Sequence, residues 1–440
     1  MQGITLAIGI LGSILVLSLR PVYALGVYFG VLVWYPDYLR VSIGTVDISV
    51  GRIVVAVLLL RCLLDEGIRR KFIWSRFDKL VGLSMVVYVG IYCATRPFGQ
   101  AFENRGGFLI DTWFTYLAVR LILTNKRKLI SFIKTIAIIL APLAILGLIE
   151  CVTNHLYFYP LTRFRTWRPS IFEGEVIGET RRWGLMRAIG PFSHFIMFGG
   201  CFAVFLPLIW ALRHQRDYWG KLAYPLCGIV IIGAFSSMSS GPWSVMIVVV
   251  FCLVLEKYKR WTKAVIMSVF LFCILAEVGS NRPLHHVLYD YVNIGGGDYW
   301  SRVRLIDAAI ANFDEWWLAG YGGRDPGWGA REGGWFWGHF TDMNNEFIMA
   351  GVEYGILGII ALCVVLAMAF RGLVCAHSQT EDTQLKSLYW SMGSALVGLI
   401  VLVQGVSLFG QMNALFYFIV GMIGASSIFP KYTAFNHCSE

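Results

Sequence analysis

Charge is what this chain has little of. Of its 440 residues only 15% are Asp, Glu, Lys or Arg, against about a quarter in an ordinary soluble domain. At the same time 57% are hydrophobic and the mean hydropathy is +0.64. That balance excludes an ordinary water-soluble globule, and it equally excludes a solvated disordered chain. No Cys-x-x-Cys pair and no Cys/His cluster with metal-ligand spacing occurs, so no metal site and no cofactor are expected. Internal repeats, Pro-rich linkers and a second soluble domain are also missing. The apolar stretches do not alternate with polar residues, which excludes a transmembrane barrel.

What the chain has instead is continuous apolar runs, many near the ~20 residues a helix needs to cross a bilayer. In hydrocarbon every backbone N–H and C=O must be satisfied internally, so such runs predict helices. They fall near 4–19, 22–36, 44–64, 79–95, 105–124 and 129–152, then 192–212, 221–237, 242–256 and 263–279. The last three are near 347–370, 388–406 and 410–429. The expected fold is an all-α polytopic membrane bundle of about 12 or 13 transmembrane helices. The first run reads as a span and not as a cleavable signal, because it lacks a basic leader and a small-x-small site before Arg20-Pro21.

Short-loop lysines and arginines cluster around 61–79, 120–128, 213–221, 257–263 and 371–386, with Lys431 last. These clusters fall on alternate connections, as the positive-inside rule requires, and predict a cytoplasmic C-terminus. The formal charge of +10 is thereby explained as topology, and nucleic acid is not an expected partner. Two long segments, 153–191 and 280–346, go to the opposite side and divide the chain into 1–152, 153–191, 192–279, 280–346 and 347–440. Neither segment contains cysteine, so neither uses disulfides.

Both segments are rich in arginine and aromatics, a composition unlike that of disordered linkers. The first carries Arg163, Arg165, Arg168, Arg181, Arg182 and Arg187, and the second carries Arg302 and Arg304. Such arginines either anchor headgroups and pair with Glu173, Glu175, Glu179, Asp298 and Asp307, or bind an anion, for which the guanidinium fork is well shaped. Trp300, Trp316, Trp317, Trp328, Trp335 and Trp337 suit an interfacial belt, or the faces of sugars. Apolar spacing over 302–313 predicts a surface helix with Val303, Ile306, Ala309, Ile310 and Phe313 on one side. His285 and His286 read as solvated, and Gly295–Gly297 as a turn, since no Gly-Lys-Ser/Thr follows.

Several short motifs recur in one order: R-x-x-G-P-F-x-H at Arg187–His194, S-S-G-P-W at Ser239–Trp243, and S-R-x-x-L-x-x-A-A at Ser301–Ala309. L-A-G-Y-G at Leu318–Gly322 and N-N-x9-G-x-x-G from Asn344 to Gly358 complete the set. In this combination the chain resembles the O-antigen ligase/polymerase family of bacterial inner-membrane enzymes, most closely over about 180–360. The resemblance implies a GT-C-like bundle that transfers undecaprenyl-diphosphate-linked glycan without a metal, at the periplasmic face. The acceptor is a glycan or a lipid-core sugar, and membrane lipids are the surroundings. By motif position Arg187 and Arg302 hold the donor's pyrophosphate, while Asn345, Arg304, Trp316 and Trp317 are positioned to contact the glycan.

One departure matters. Asn344 occupies the position of the family's histidine, and an amide is no general base. His339, Asp342, His194 and Glu353 remain as alternatives for that role. The departure favours a polymerase over a ligase, or a chain that has lost activity. The competing reading is a lipid-linked-glycan flippase or polysaccharide transporter, which would place ionisable residues mid-membrane in related halves. A metal-dependent oligosaccharyltransferase would show paired acids early, whereas Asp37 and Asp47 lie far apart.

Overall fold

The computed structural model describes residues 1–165, 181–292, 299–331 and 341–429. Among these residues the structure is mostly helical, with two small antiparallel hairpins, Arg40–Ile43 with Val46–Ser49 and Arg181–Arg182 with Leu185–Met186. Among the described residues, seven helices are long and apolar enough to cross a membrane: Arg76–Thr95, Lys126–Thr153, Phe195–His214, Tyr218–Ser236, Lys259–Gly279, Glu346–Gln379 and Thr383–Val403. Four shorter apolar helices, Gln2–Ser18, Pro21–Trp34, Ser240–Leu255 and Gln411–Ser426, stand among them. This is a helical membrane protein. Where the apolar runs are short, the helices are short too.

Two expected spans differ in detail. The run at 44–64 opens with a hairpin, because Gly44 takes φ +62° and V-S-I-G-T-V-D-I alternates about it; the helix begins only at Val50. The run at 105–124 is interrupted by a π-helical turn, Ile110–Phe114, between Phe98–Leu109 and Thr115–Ile122. Asp111 sits in that turn and receives the Arg52 guanidinium at 2.7 to 3.1 Å. A π-turn of this kind shifts a side chain out of register toward a partner it would otherwise miss.

The Phe195–Ala211 helix is the centre of the bundle, with 89% of its apolar window buried. Small residues let its neighbours come close: a Cβ placed on Gly199 would lie 2.3 Å from Ser237 Oγ on the turn after Tyr218–Ser236. By contrast, none of the side chains of Thr262–Gly279 is buried. Its apolar residues are left to lipid.

One end of the bundle is tied together by charge pairs. Arg120 meets Asp78 at 2.6 Å, Arg213 meets Glu256 at 2.5 Å, Lys134 meets Asp217 at 2.8 Å, and Lys126 meets Asp382. These are the basic turns marked in the sequence. Arg120 and Asp78 are almost wholly buried, and removing one partner of such a pair typically costs about 3–5 kcal/mol. The other end carries the long segments.

There the Glu346–Gln379 helix breaks at Gly355 (φ +69°, ψ −168°), within the G-x-x-G motif. The L-A-G-Y-G segment fills the break. Ile356 N–H donates to the Trp317 carbonyl at 2.8 Å, and Tyr321 N–H donates to the Val352 carbonyl at 2.5 Å. The glycines permit this approach: a Cβ on Gly355 would lie 2.5 Å from Leu318 O, and one on Gly320 2.4 Å from Val352 O. The two motifs are thus halves of one joint.

Gly355→Ala combines a forbidden backbone conformation with a backbone clash and should destabilise the protein by roughly 2–4 kcal/mol. The thermal unfolding midpoint in detergent measures it. Gly393→Ala, on a helix with open space beside it, should leave the midpoint unchanged.

Candidate functional site

The site is organised by a carboxylate that sequence reasoning passed over. Glu150 lies fully buried near the end of Lys126–Thr153. Its carboxylate accepts the backbone N–H groups of Ile189 (3.1 Å), Gly190 (2.8 Å) and Tyr157 (3.0 Å). A second strap is Ala188 N–H to the Ser236 carbonyl at 3.0 Å. R-A-I-G-P-F is therefore fixed to two helix ends before any ligand arrives. A carboxylate inside an expected span is a functional candidate by default, and that signal pointed to Glu150.

The fixed segment presents Arg187. Its Nε donates to the Met238 carbonyl at 3.2 Å, and its guanidinium lies 3.6 Å from the centre of the Phe195 ring. Arg182 donates to the same carbonyl at 3.3 Å and lies over Trp183 and Trp243. Met238 holds a left-handed backbone, φ +46°, just before S-S-G-P-W. The function of that turn is now visible: it aims one carbonyl at two arginines.

His194 caps the Phe195–Ala211 helix from just outside it, its Nδ1 accepting Ile196 N–H at 3.1 Å. Burial, then the nearby charges of Arg187 and Arg302, disfavour the imidazolium, and the pKa is pushed down to about 3. With Nδ1 occupied as an acceptor, the neutral ring carries its proton on Nε2. His194 is thus a hydrogen-bond donor within the field of two guanidiniums, which revises its candidacy as a base.

Arg302 comes from the other long segment, on the helix Tyr299–Ala311, and is half-buried. It makes no hydrogen bond or ion pair among the described residues. Its guanidinium lies against Gly405, where an added Cβ would already come within 3.6 Å. The surroundings supply amide and hydroxyl groups. Asn345 Nδ2 and Tyr289 OH each donate to the Gln404 carbonyl at 3.2 Å, and Asn344 Nδ2 donates to Ser301 Oγ at 3.3 Å. Asn344 Oδ1 is a buried acceptor without a partner among the described residues.

The expected site residues therefore divide. Arg187, His194 and Arg302 share one electrostatic neighbourhood, and Asn344 bonds the residue next to Arg302. Asn345 is occupied as the cap of Glu346–Gln379, accepting Phe347 and Ile348 N–H at 2.9 and 3.2 Å. Trp316 is buried in the packing, its Nε1 donating to Ala309 O at 2.8 Å, and the Trp317 carbonyl serves the helix break. Arg304 is exposed over Trp300, and Asp342 offers its backbone carbonyl to Asn344 N–H. Glu353 is taken up by Arg105 at 3.5 Å. His339, Trp335, Trp337, Arg168, Glu173, Glu175, Glu179, Asp298 and Gly295–Gly297 lie outside the described residues.

Two further expectations are corrected. The helix Tyr299–Ala311 buries Val303, Leu305, Ala308 and Ala309, leaving Ile310 and Phe313 exposed. It packs against Trp316, Trp328 and Val352, and those partners choose the face. His285 and His286 are not solvated: both are half-buried and bonded to Asp307. Asp307 is consequently no partner for the loop arginines.

No protein-family model matches the chain, and no curated protein sequence is similar to it.

Glu150→Ala should release the 185–192 segment without unfolding the bundle. Hydrogen exchange checks it: the Ile189, Gly190 and Tyr157 amides should exchange at least about tenfold faster. His194 sets an acid limit. Its folded pKa lies below the ordinary ~6.5, so its contribution to stability is complete above that value and is lost as pH falls toward the folded pKa. His194→Asn, which keeps a capping side chain, should flatten the decline of unfolding midpoint between about pH 6.5 and 4.

Proposed function

We propose that this protein is a membrane glycosyltransferase of the O-antigen ligase/polymerase type, with a GT-C-like bundle. It takes a polyprenyl-diphosphate-linked glycan as donor and acts at the periplasmic face of a bacterial inner membrane. One observation carries the reading: Arg302, half-buried and without a carboxylate partner among the described residues, acts together with Arg187, from the other long segment, on His194 at the head of the Phe195–Ala211 helix. Positive charge left uncompensated in a low-dielectric setting favours an anionic ligand.

In transfer, the bond between the sugar C1 and the phosphate oxygen breaks, a bond from the acceptor hydroxyl oxygen to C1 forms, and the hydroxyl proton passes to the departing diphosphate or to water. The departing diphosphate gains negative charge, which Arg187 and Arg302 are placed to stabilise and the Nε2–H of His194 to hydrogen-bond. Asn344 Oδ1, a buried and unpartnered acceptor, suits an incoming hydroxyl as an orienting group rather than as a base. The flippase reading is less well supported. Transporters leave backbone groups open at a helix break to hold substrate or ion, but at Gly355 those groups are taken by Trp317 and Tyr321.

Purified protein supplied with undecaprenyl-diphosphate glycan should lengthen or transfer it. Arg187→Ala and Arg302→Ala should each lower the rate by about 100-fold or more with normal membrane insertion. Arg302→Lys should recover only part, since it restores the charge and not the fork. Wild-type rates in both alanine variants would overturn the assignment.

A further inference from the structure

A second cluster stands apart from the arginines. His285 and His286 are consecutive on the helix Leu284–Val292, which is started by Glu277 accepting Leu284 N–H at 2.7 Å. Asp307 is on the facing helix Tyr299–Ala311. His285 Nε2 lies 2.7 Å from Asp307 Oδ1, and His286 Nε2 lies 3.0 Å from Oδ2. Consecutive helical side chains diverge by about 100°, so both rings must turn inward to reach one carboxylate. The two rings come within 4.6 Å of each other, centre to centre.

We propose that His285, His286 and Asp307 form a binding site for a divalent transition metal of the zinc class, which ties these two helices together. The ligand set is chemically suited: two imidazoles and a carboxylate leave an open position for water, as in mononuclear zinc sites. The size also fits. Bonds of about 2.0–2.2 Å at tetrahedral angles put ligand atoms about 3.3 Å apart, and the three groups here offer atoms all within 4.8 Å of one another. Spreading the two His–Asp separations of 2.7 and 3.0 Å to that value takes a few tenths of an ångström, and the two imidazole nitrogens, within 4.8 Å of each other, close the set by ring rotation. Access is open on one side, because Asp307 is 45% exposed while His285 is only 18% exposed. Coordination through Nε2 takes the Nδ1-protonated tautomer of each ring.

The cluster bears on the arginine site through position alone. Tyr289, one turn beyond the histidines, donates to the Gln404 carbonyl, and Arg302 lies on the same helix as Asp307, a little over one turn earlier. A metal here would brace the helix that carries Arg302 against its neighbour without touching substrate. The proposal does not depend on the transfer reaction, and it runs against the expectation of a metal-free protein.

The test uses the full chain in detergent, stripped with chelator, titrated with zinc sulfate alone and desalted before metal analysis. Wild type should retain about one equivalent and unfold at a higher temperature with zinc than without. Asp307→Asn, close in shape, and the His285→Ala/His286→Ala pair should both lose the retained metal and the shift. Asp314→Asn, an exposed carboxylate outside the cluster, should keep both. Cobalt substituted for zinc should give visible absorption bands in wild type that Asp307→Asn lacks. Failure of wild type to retain zinc would overturn the proposal, as would equal retention by Asp307→Asn and the double-histidine variant.

Discussion

The structure depends on the rule that charge inside a low-dielectric bundle must be answered by opposite charge or by hydrogen bonds. Most buried guanidiniums obey it. Arg52 meets Asp111, Arg105 meets Glu353, Arg120 meets Asp78 and Arg213 meets Glu256, each within 3.5 Å. These pairs cross between helices, so they fix relative placement as well as cancelling charge. Arg302 does not follow that rule. It is half-buried, set against a glycine, and without a carboxylate among the described residues. Its neighbours Arg187 and His194 add two more donors.

Holding that much positive character in place needs rigid support, and most of the support is backbone. Glu150 collects three N–H groups, Ser236 collects a fourth, and the Met238 carbonyl receives two arginines. Gly355 and Gly320 let L-A-G-Y-G dock into the broken helix, and the same packing seats Trp316 against the helix that carries Arg302. A site built this way is preorganised, which is what electrostatic stabilisation of a leaving group demands. It is also sensitive to distant change.

Much of this was legible in the sequence, for physical reasons that differ by feature. Apolar run length predicted the helices because hydrocarbon leaves the backbone no other choice. Arg187 and Arg302 drew attention because arginines in long outer segments lack the topological reason that accounts for those in short loops, and His194 because it closes the same motif as Arg187. What was not legible depended on contacts between distant residues. Asn345 looked chemical and is a helix cap; Trp316 looked like a ligand platform and is packing. The face of Tyr299–Ala311 was chosen by Trp316, Trp328 and Val352, which no local periodicity reports. His285 and His286 meet Asp307 across 21 or 22 positions, a pairing that spacing alone does not disclose.

The central claim is that Arg302 and its neighbours form a diphosphate site, and direct binding tests it with no acceptor present. A short-chain polyprenyl diphosphate titrated with the purified protein should show perturbed phosphorus resonances that saturate and weaken as salt rises. Arg302→Ala should lose saturation, while Arg304→Ala, exposed over Trp300, should keep it. Undiminished saturation in Arg302→Ala would contradict the account.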